Sequence, residues 1–395
     1  MARSLLLAVA FAATSALATA QTFVVDAANG PGTNFTDLPP AVAAVPDGAV
    51  LLVRTGTYGP VQLDGKGLSI LATAPQVRTW GVAVVNLAVG QAFTLRGVEV
   101  IGVGSFASTP PQTPWAQVYL RACAGPVILQ AVSCQQRPDF TSVYAGDCSA
   151  LTIRESVLDG SVWARNSQVA VESTDVFGCW ETSSGAAARP GIVVEGGTVT
   201  TARSRVTGGG VGWGGVLFPA YAVELWSGAE LRLCEDSSGA YAGGQVWPNP
   251  TPTPAIGGFA GTRVVRTPEA VLTGGAAVGG TTDIVLPMPS LHTQPAGPGG
   301  TVVADITTPV GEIVLLALSL PGPVTAVPGV EGRLWVDAAT AVLLTGGVPQ
   351  PGVPLRHAIH VPNMPSLVAA RLCCQAIAWS PIDGLRLSNA STLSL

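Results

Sequence analysis

Apolar residues recur along the first two thirds of the chain in a short repeat. Each copy has an apolar residue, four intervening positions, a second apolar residue, one further position and then glycine. Clear copies span residues 95–102, 153–160 and 171–178, a weaker copy spans 201–208, and a degenerate copy spans 129–136. Because the spacing recurs, these segments are expected to occupy equivalent places in successive structural units.

A triplet with apolar outer members lies about ten positions before each copy. Such alternation predicts a short strand whose outer members point inward and whose middle member points outward. The triplets begin at Val85, Val118, Val143, Val162 and Ile192, and a sixth begins at Val223. Strands that recur every nineteen to about thirty residues, with turn residues between them, favour stacked coils over a sandwich. The pattern therefore predicts an all-β chain built on a parallel solenoid, with coils ~4.8 Å apart.

The beginning of the solenoid region resembles a known family. Residues 22–26, 37–48, 50–58 and 66–70 resemble the opening of right-handed parallel β-helix proteins of the pectin-lyase-like superfamily. In that family a strand is followed by an amphipathic helix that caps the stack, and then by a first coil with a characteristic turn. Here that turn corresponds to the Thr-Gly-Thr-Tyr sequence at 55–58. The resemblance covers roughly residues 22 to 275 and implies a fold, whereas it says little about activity.

The last third of the chain has a different pattern. After the proline-rich segment 248–254 come strand-like stretches separated by Pro and Gly turns, among them residues 301–306, 312–320, 333–336 and 367–378. This spacing predicts a small β-sandwich. Residues 384–390 resemble the end of a C-terminal module of secreted planctomycete-type bacterial proteins. The predicted organisation is a signal peptide over 1–20, a right-handed parallel β-helix with its N-terminal cap over 21–275, and a β-sandwich over 276–395.

Composition narrows the function classes. Hydrophobic residues make up 48% of the chain and charged residues 11%, which excludes a disordered chain. The 19 Lys and Arg against 24 Asp and Glu give a net charge of -5, so no nucleic-acid partner is expected.

The N-terminal residues predict a cleaved signal peptide, on the evidence of Arg3, the apolar run 5–11 and the small residues at 18–20. A secreted, periplasmic or cell-surface protein is therefore expected. The best later apolar run, 313–320, is too short to span a membrane.

Aromatic residues supply the main candidate binding surface. The middle members of three successive triplets are Tyr119, Tyr144 and Trp163, which predicts an outward aromatic column at coil spacing. Aromatic faces stack on the apolar faces of sugar rings, so such a column suits an extended polysaccharide. The alternative is an aromatic stack covered by a loop, which stabilises the solenoid without touching a ligand.

Insertions at one point of the repeat add further aromatic candidates. The longer insertions span residues 103–117, 137–142, 179–191 and 209–221, each directly after a repeat copy, so they are expected to line one wall of the solenoid. Three of them carry the tryptophans Trp115, Trp180 and Trp213. These residues are expected either to contact a ligand or to fix each loop to its own coil.

Charged residues of the central coils allow an enzymatic alternative. Polysaccharide lyases of the resembled superfamily hold calcium with several carboxylates and use Arg or Lys as a base beside an acidic sugar. By that resemblance, Asp147, Asp159 and Asp175 are the metal candidates, and Arg165 or Arg205 is the candidate base. The alignment also places Asp175 and Arg205 one coil apart, where a surface ion pair could form.

Two cysteines are predicted to form a disulfide. Cys123 and Cys148 fall at the same alignment position in consecutive coils, close to the Cα separation that a disulfide needs. Cys134 falls instead in an inward column and is expected to be a buried thiol.

The sequence supports three functional hypotheses. The preferred one is non-catalytic or weakly catalytic binding of extracellular polysaccharide, with no cofactor. The first alternative is a calcium-assisted polysaccharide lyase acting on acidic glycans. The second alternative is a structural or adhesive cell-surface protein.

Overall fold

The structure is a computed structural model. It describes residues 21–102, 115–135, 141–179, 188–210, 219–234, 239–244, 253–274, 278–309, 311–350, 353–364 and 367–395. The predicted signal peptide and the candidates Trp180 and Trp213 lie outside these ranges. Within them, no helix is long and apolar enough to cross a bilayer.

Most of the chain winds into a right-handed parallel β-helix with three faces per coil. The first face holds Val61–Asp64, Val82–Val85, Ala116–Arg121, Thr141–Gly146, the first half of Val162–Glu172, the first half of Ile192–Ala202, Val223–Trp226, Ile256–Gly258 and Val278–Gly279. The second face holds Thr22–Val25, Val50–Val53, Ser69–Ala72, Phe93–Arg96, Val127–Gln130, Leu151–Arg154, the second halves of the two long strands, Glu230–Leu233, Arg263–Arg266 and Thr282–Val285. The third face holds Gly56–Tyr58, Val77–Thr79, Glu99–Val100, Ser133–Cys134, Val157–Asp159, Asp175–Phe177, Arg205–Thr207, Ala240–Ala242 and Val271–Thr273.

The register confirms the repeat read from the sequence. On the second face Leu129 pairs with Leu95 and with Ile153, and on the third face Cys134 pairs with Val100 and Leu158. The inward side chains of all three faces form one continuous hydrophobic core. Because one coil exposes its inner face above and below, only the stacked neighbours remove that apolar surface from water.

The first predicted triplet is wrong by three residues. Tyr119 pairs with Ala83 and not with Asn86, so the strand of that coil is Val82–Val85. Asn86 instead occupies a turn with φ 56° and donates from its side chain to Asp64. The error has a local cause, because the continuous apolar run of this strand offers no alternation by which to fix the register.

The turn between the first and second faces contains left-handed residues. One equivalent position is left-handed in seven successive coils, where it is occupied by Gly65, Asn86, Ala122, Asp147, Asn166, Gly196 and Ser227. This conformation costs an ordinary L-residue about 1 kcal/mol, and Asn and Asp tolerate it best. Asn166 also donates from its side chain to Asp147, at 3.2 Å, which ties two turns together.

A short helix closes the N-terminal end of the stack. The helix spans Leu38–Ala44, with Asp37 as its N-cap and prolines at its first positions. Asp37 also accepts a hydrogen bond from the amide of Gly59, at 2.8 Å, which ties the cap to the first coil. Leu38, Ala41 and Val42 are buried against the core, so the helix covers the apolar surface that the first coil would otherwise expose.

The C-terminal part is a β-sandwich. One sheet contains Ser290–Gln294, Thr301–Thr307 and Leu355–His360; the other contains Val330–Glu331, Gly384–Ser394, Arg371–Ser380, Ile313–Ser319 and Val342–Gly347; Pro321–Ala326 pairs with Arg333–Val336. The two larger sheets share a second core that includes Leu291, Ile306, Leu316 and Leu372.

Parallel pairing in the β-helix continues to Val285, past the predicted boundary at residue 275, because the last two β-helix strands still pair with the preceding coil.

The sandwich packs on the second face of the β-helix. Arg96 donates to the carbonyls of Ser394 and Leu395, both at 3.1 Å, and Arg371 donates to the hydroxyls of Thr94 and Ser69. An apolar cluster spans the same junction and includes Ala150, Ala170, Trp335, Cys373 and Ala390. These contacts cover the outward side of the second face, whereas the first face occupies another side of each coil.

Candidate functional site

The predicted aromatic column lies on the first face. Tyr119 pairs in register with Tyr144, and Tyr144 pairs with Trp163. The two tyrosine rings stack with centroids 5.3 Å apart and planes 11° apart. Ala83 and Val193 continue the column at its two ends. The three aromatic residues therefore stand in successive coils at one outward position, as the period-two pattern predicts.

The exposure of this column differs from the expectation of an open platform. Tyr119 is fully buried and Tyr144 is 4% exposed, whereas Trp163 is half-buried. Burial raises the pKa of the Tyr144 phenol. The two tyrosines therefore act as an outer packing layer on the sheet, and Trp163 is the member of the column that solvent reaches.

Several polar atoms of the first-face strands are buried without a hydrogen-bond partner. They are Tyr119 Oη, Thr141 Oγ1, Ser142 Oγ and Trp163 Nε1. Buried polar groups in folded proteins are nearly always paired, by protein, water or ligand. Because these atoms are almost completely buried, they lie beneath the surface of the first face and are not open to a ligand.

Trp115 lies four residues before Tyr119 in the chain. It directly precedes the strand Ala116–Arg121 and is 65% exposed. The insertions join the third face of one coil to the first face of the next, because each begins after a third-face strand and ends at a first-face strand. Most of their residues lie outside the described ranges, so Trp115 is the insertion tryptophan whose position is known.

The predicted calcium ligands do not come together. Asp147 lies in the left-handed turn between the first and second faces, whereas Asp159 and Asp175 lie on the third face. Across the described part of the chain, no group of three acidic, histidine or cysteine side chains is arranged to hold a metal ion. Burial raises the pKa of Asp159, but this residue belongs to no described group of three potential metal ligands.

The two candidate bases are also separated from each other. Arg165 lies on the first face, 3.8 Å from the Glu195 carboxylate of the next coil. Arg205 lies on the third face and pairs in register with Asp175, but no ion pair joins these two described residues. A lyase site would need its base and its metal ligands around one sugar, and the described residues do not provide that arrangement.

Two further charged residues of the central coils, Glu172 and Arg154, lie at the domain junction. Both are buried beneath the sandwich, with Arg154 Nη1 3.9 Å from Glu172 Oε2. Ser391 donates to Glu172 at 2.6 Å, and His292 Nδ1 lies 3.5 Å from its other oxygen. Burial favours a raised pKa for Glu172, but Arg154 and the hydrogen bonds outweigh it and hold the pKa below its usual range.

Cys123 and Cys148 lie in contact at equivalent positions of adjacent coils. Both are buried thiols, each following its first-face strand, and their Sγ atoms share a hydrogen bond. The hydrogen bond from Cys148 lowers the pKa of Cys123, and the same contact raises the pKa of Cys148. The disulfide itself stays a prediction, since the structure contains two unbonded thiols. Cys134 is buried in the inward column as expected, and burial raises its pKa to about 12.

A second aromatic group on the first face was not identified from the sequence as a site. Trp226 and Phe259 stand in adjacent coils, with ring centroids 4.2 Å apart, and are 40% and 49% exposed. Glu224 continues the column of Trp163, two residues before Trp226. The single signal for this group was the triplet beginning at Val223, whose middle residue is acidic where the preceding triplets have aromatic or aliphatic residues.

Comparisons with known proteins give matches at the level of structure. No protein-family model matches the chain, and no curated protein matches its sequence. Pectin methylesterase PemA from Erwinia chrysanthemi is 10% identical and matches 70% of this chain and 83% of its own, with a TM-score of 0.29. A pectin methylesterase in complex with a hexasaccharide is 11% identical; the match covers 74% of this chain and 86% of the esterase chain, with a TM-score of 0.30. Full-length tailspike protein 2 from the Escherichia coli O157:H7 bacteriophage CAB120 is 10% identical; the match covers 95% of this chain and 68% of the tailspike chain, with a TM-score of 0.30.

The fold follows from the register of the coils and not from these TM-scores. Three strands per coil pair in parallel with the coils above and below, and the C-terminal sheets enclose their own core. The chain is therefore a right-handed parallel β-helix followed by a small β-sandwich.

Proposed function

We propose that this protein is exported and binds an extracellular polysaccharide on the first face of its β-helix. The observation that carries the proposal is the in-register aromatic column, which lies on a different side of the coil from the docked sandwich and ends in the half-buried Trp163. Trp163 is the member of the column that solvent reaches, and an indole ring can stack on the apolar face of a sugar ring.

The buried tyrosines take a supporting role in this proposal. Their stacked rings hold the outer layer of the sheet rigid, so the ring of Trp163 is presented without a loss of side-chain freedom on binding. The exposed ring of Trp115, at the start of the first-face strand that carries Tyr119, provides a second hydrophobic contact.

Affinity electrophoresis of the full-length protein in gels that contain soluble polysaccharides tests the proposal. We expect retardation in at least one polysaccharide gel, and about a tenfold weaker retardation for Trp163→Ala, because the stacking surface is lost. Trp379→Ala is the matched control, since Trp379 is an exposed tryptophan of the sandwich. Equal migration of wild type and Trp163→Ala would reject the first face as the binding surface, and self-association without retardation would favour a structural protein.

A further inference from the structure

Three aromatic rings surround one acidic side chain near the C-terminal end of the first face. Glu224 faces outward between Val193 of the preceding coil and Gly257 of the following coil. The Trp226 indole lies close enough to the Glu224 carboxylate to lower its pKa, although burial has the larger, opposite effect. The ring of Tyr221 lies directly on Gly257, where any side chain would collide with it. The ring of Phe259, in the next coil, packs against the ring of Trp226.

This group differs from the tyrosine pair in being open to solvent. Both Trp226 and Phe259 keep close to half of their surface exposed, although large aromatic side chains are mostly buried in folded proteins. Glu224 and Tyr221 are half-buried beneath them. Burial also raises the pKa of Glu224, which is the direction expected for a carboxylate placed among aromatic rings.

The charges around the group restrict which ligand it can accept. Glu224 is acidic, and Arg165, a cation of the same face two coils earlier, lies 3.8 Å from the Glu195 carboxylate. An anionic sugar placed on the group would therefore meet the negative charge of Glu224, which repels it. A neutral sugar offers apolar C–H faces to the rings and hydroxyl donors to the carboxylate.

We propose that Trp226, Phe259, Tyr221 and Glu224 form a binding subsite for a neutral hexose or N-acylhexosamine unit of a polysaccharide chain. The rings supply the stacking surface, and Glu224 orients the unit by accepting hydrogen bonds from its hydroxyl groups. The subsite rests on the proposed polysaccharide-binding function and defines its substrate class as neutral. The subsite lies on the same side of the β-helix as Trp163, because Glu224 occupies the outward column of Trp163 two coils further on.

The test compares the full-length wild type with Trp226→Ala, Phe259→Ala and Glu224→Gln in affinity gels containing galactomannan, xyloglucan, glycol chitin or polygalacturonate. We expect retardation by at least one of the three polymers without acidic sugars, and about tenfold weaker retardation for Trp226→Ala and for Glu224→Gln. Glu224→Gln preserves the shape of the side chain, so a loss of affinity in a variant with wild-type melting temperature reports the hydrogen bonds of the carboxylate.

The outcomes separate this inference from the general function. If the wild type is retarded and Trp163→Ala weakens the retardation while Trp226→Ala and Glu224→Gln do not, the polysaccharide-binding function stands and the subsite is wrong. Stronger retardation by polygalacturonate than by every other polymer overturns the neutral substrate class. Absence of retardation in all gels overturns both the function and the subsite.

Discussion

Tyr119 and Tyr144 stack face to face across two adjacent coils, with planes only 11° apart, on the outward side of the first face. Both rings are buried although they point away from the β-helix core. Their contact shows that a parallel coil can bury large side chains on its outer side as well as inside, so an outward position does not guarantee a free surface.

Truncation of Tyr119 is expected to reduce the stability of the fold. Tyr119→Ala should lower the free energy of unfolding by about 3 kcal/mol, because it removes a fully buried ring and leaves a cavity. Tyr119→Phe is the matched control: the Tyr119 hydroxyl has no partner, so its removal should leave stability unchanged or raise it. Urea unfolding measures both, and a Tyr119→Ala variant as stable as wild type would contradict the packing role.

The buried pair Arg154 and Glu172 is expected to hold the sandwich on the second face. Glu172→Gln should cost about 3 kcal/mol at neutral pH, because it leaves Arg154 buried with a weakened partner. Glu155→Gln is the control: Glu155 also pairs with Arg154 but is partly exposed, so its loss should cost about 1 kcal/mol or less.

The effect of Glu172→Gln on the free energy of unfolding is expected to change with pH in one direction. The pKa of Glu172 in the folded protein lies below the ordinary value of 4.5, so its ionised form contributes stability that is fully present above 4.5. That contribution is lost as the pH falls through the lower folded pKa. The stability difference between wild type and Glu172→Gln should therefore shrink as the pH falls below 4.5, and a difference that stays constant or grows in acid would show that Glu172 is not held ionised.

Cys123 and Cys148 are expected to become linked in an oxidising environment. Their thiols already lie in contact in neighbouring coils, so bond formation needs little movement. The bond should add about 3 kcal/mol of stability by restricting the unfolded chain. Peptide mapping without reduction should find the two cysteines in one linked peptide, while Cys134 reacts with an alkylating agent only after unfolding. Equal alkylation of Cys123, Cys148 and Cys134 in the unfolded, unreduced protein would exclude the bond.

Much of the β-helix was predictable because its determinants are local. Residues such as Leu129, Ile153 and Val171 repeat at a fixed place in each coil, and inward burial enforces that register. The error at Val85 arose where the strand is apolar on both faces and carries no alternation. The turn residue Asn86 was then read as part of a strand.

The burial of side chains on the outside of the coils was not predictable from the repeat. Arg154 and Glu172 have the sequence appearance of surface charges, but residues more than 100 positions later in the sandwich cover them. Tyr119 likewise occupies an outward position in the pattern and is nevertheless buried. The exposed pair Trp226 and Phe259 was missed because its members are 33 residues apart and belong to the less regular last coils.

Hydroxyl-radical footprinting of the tryptophans tests polysaccharide binding by the first face most directly. The protein is oxidised with and without the polysaccharide that retards it most strongly, and the oxidation rate of each tryptophan is read by mass spectrometry. We predict slower oxidation of Trp115 and Trp163 in the presence of the polysaccharide and an unchanged rate for Trp379 in the sandwich. Slower oxidation of Trp379 alone, or rates that do not change at Trp115 and Trp163, would contradict binding by the first face.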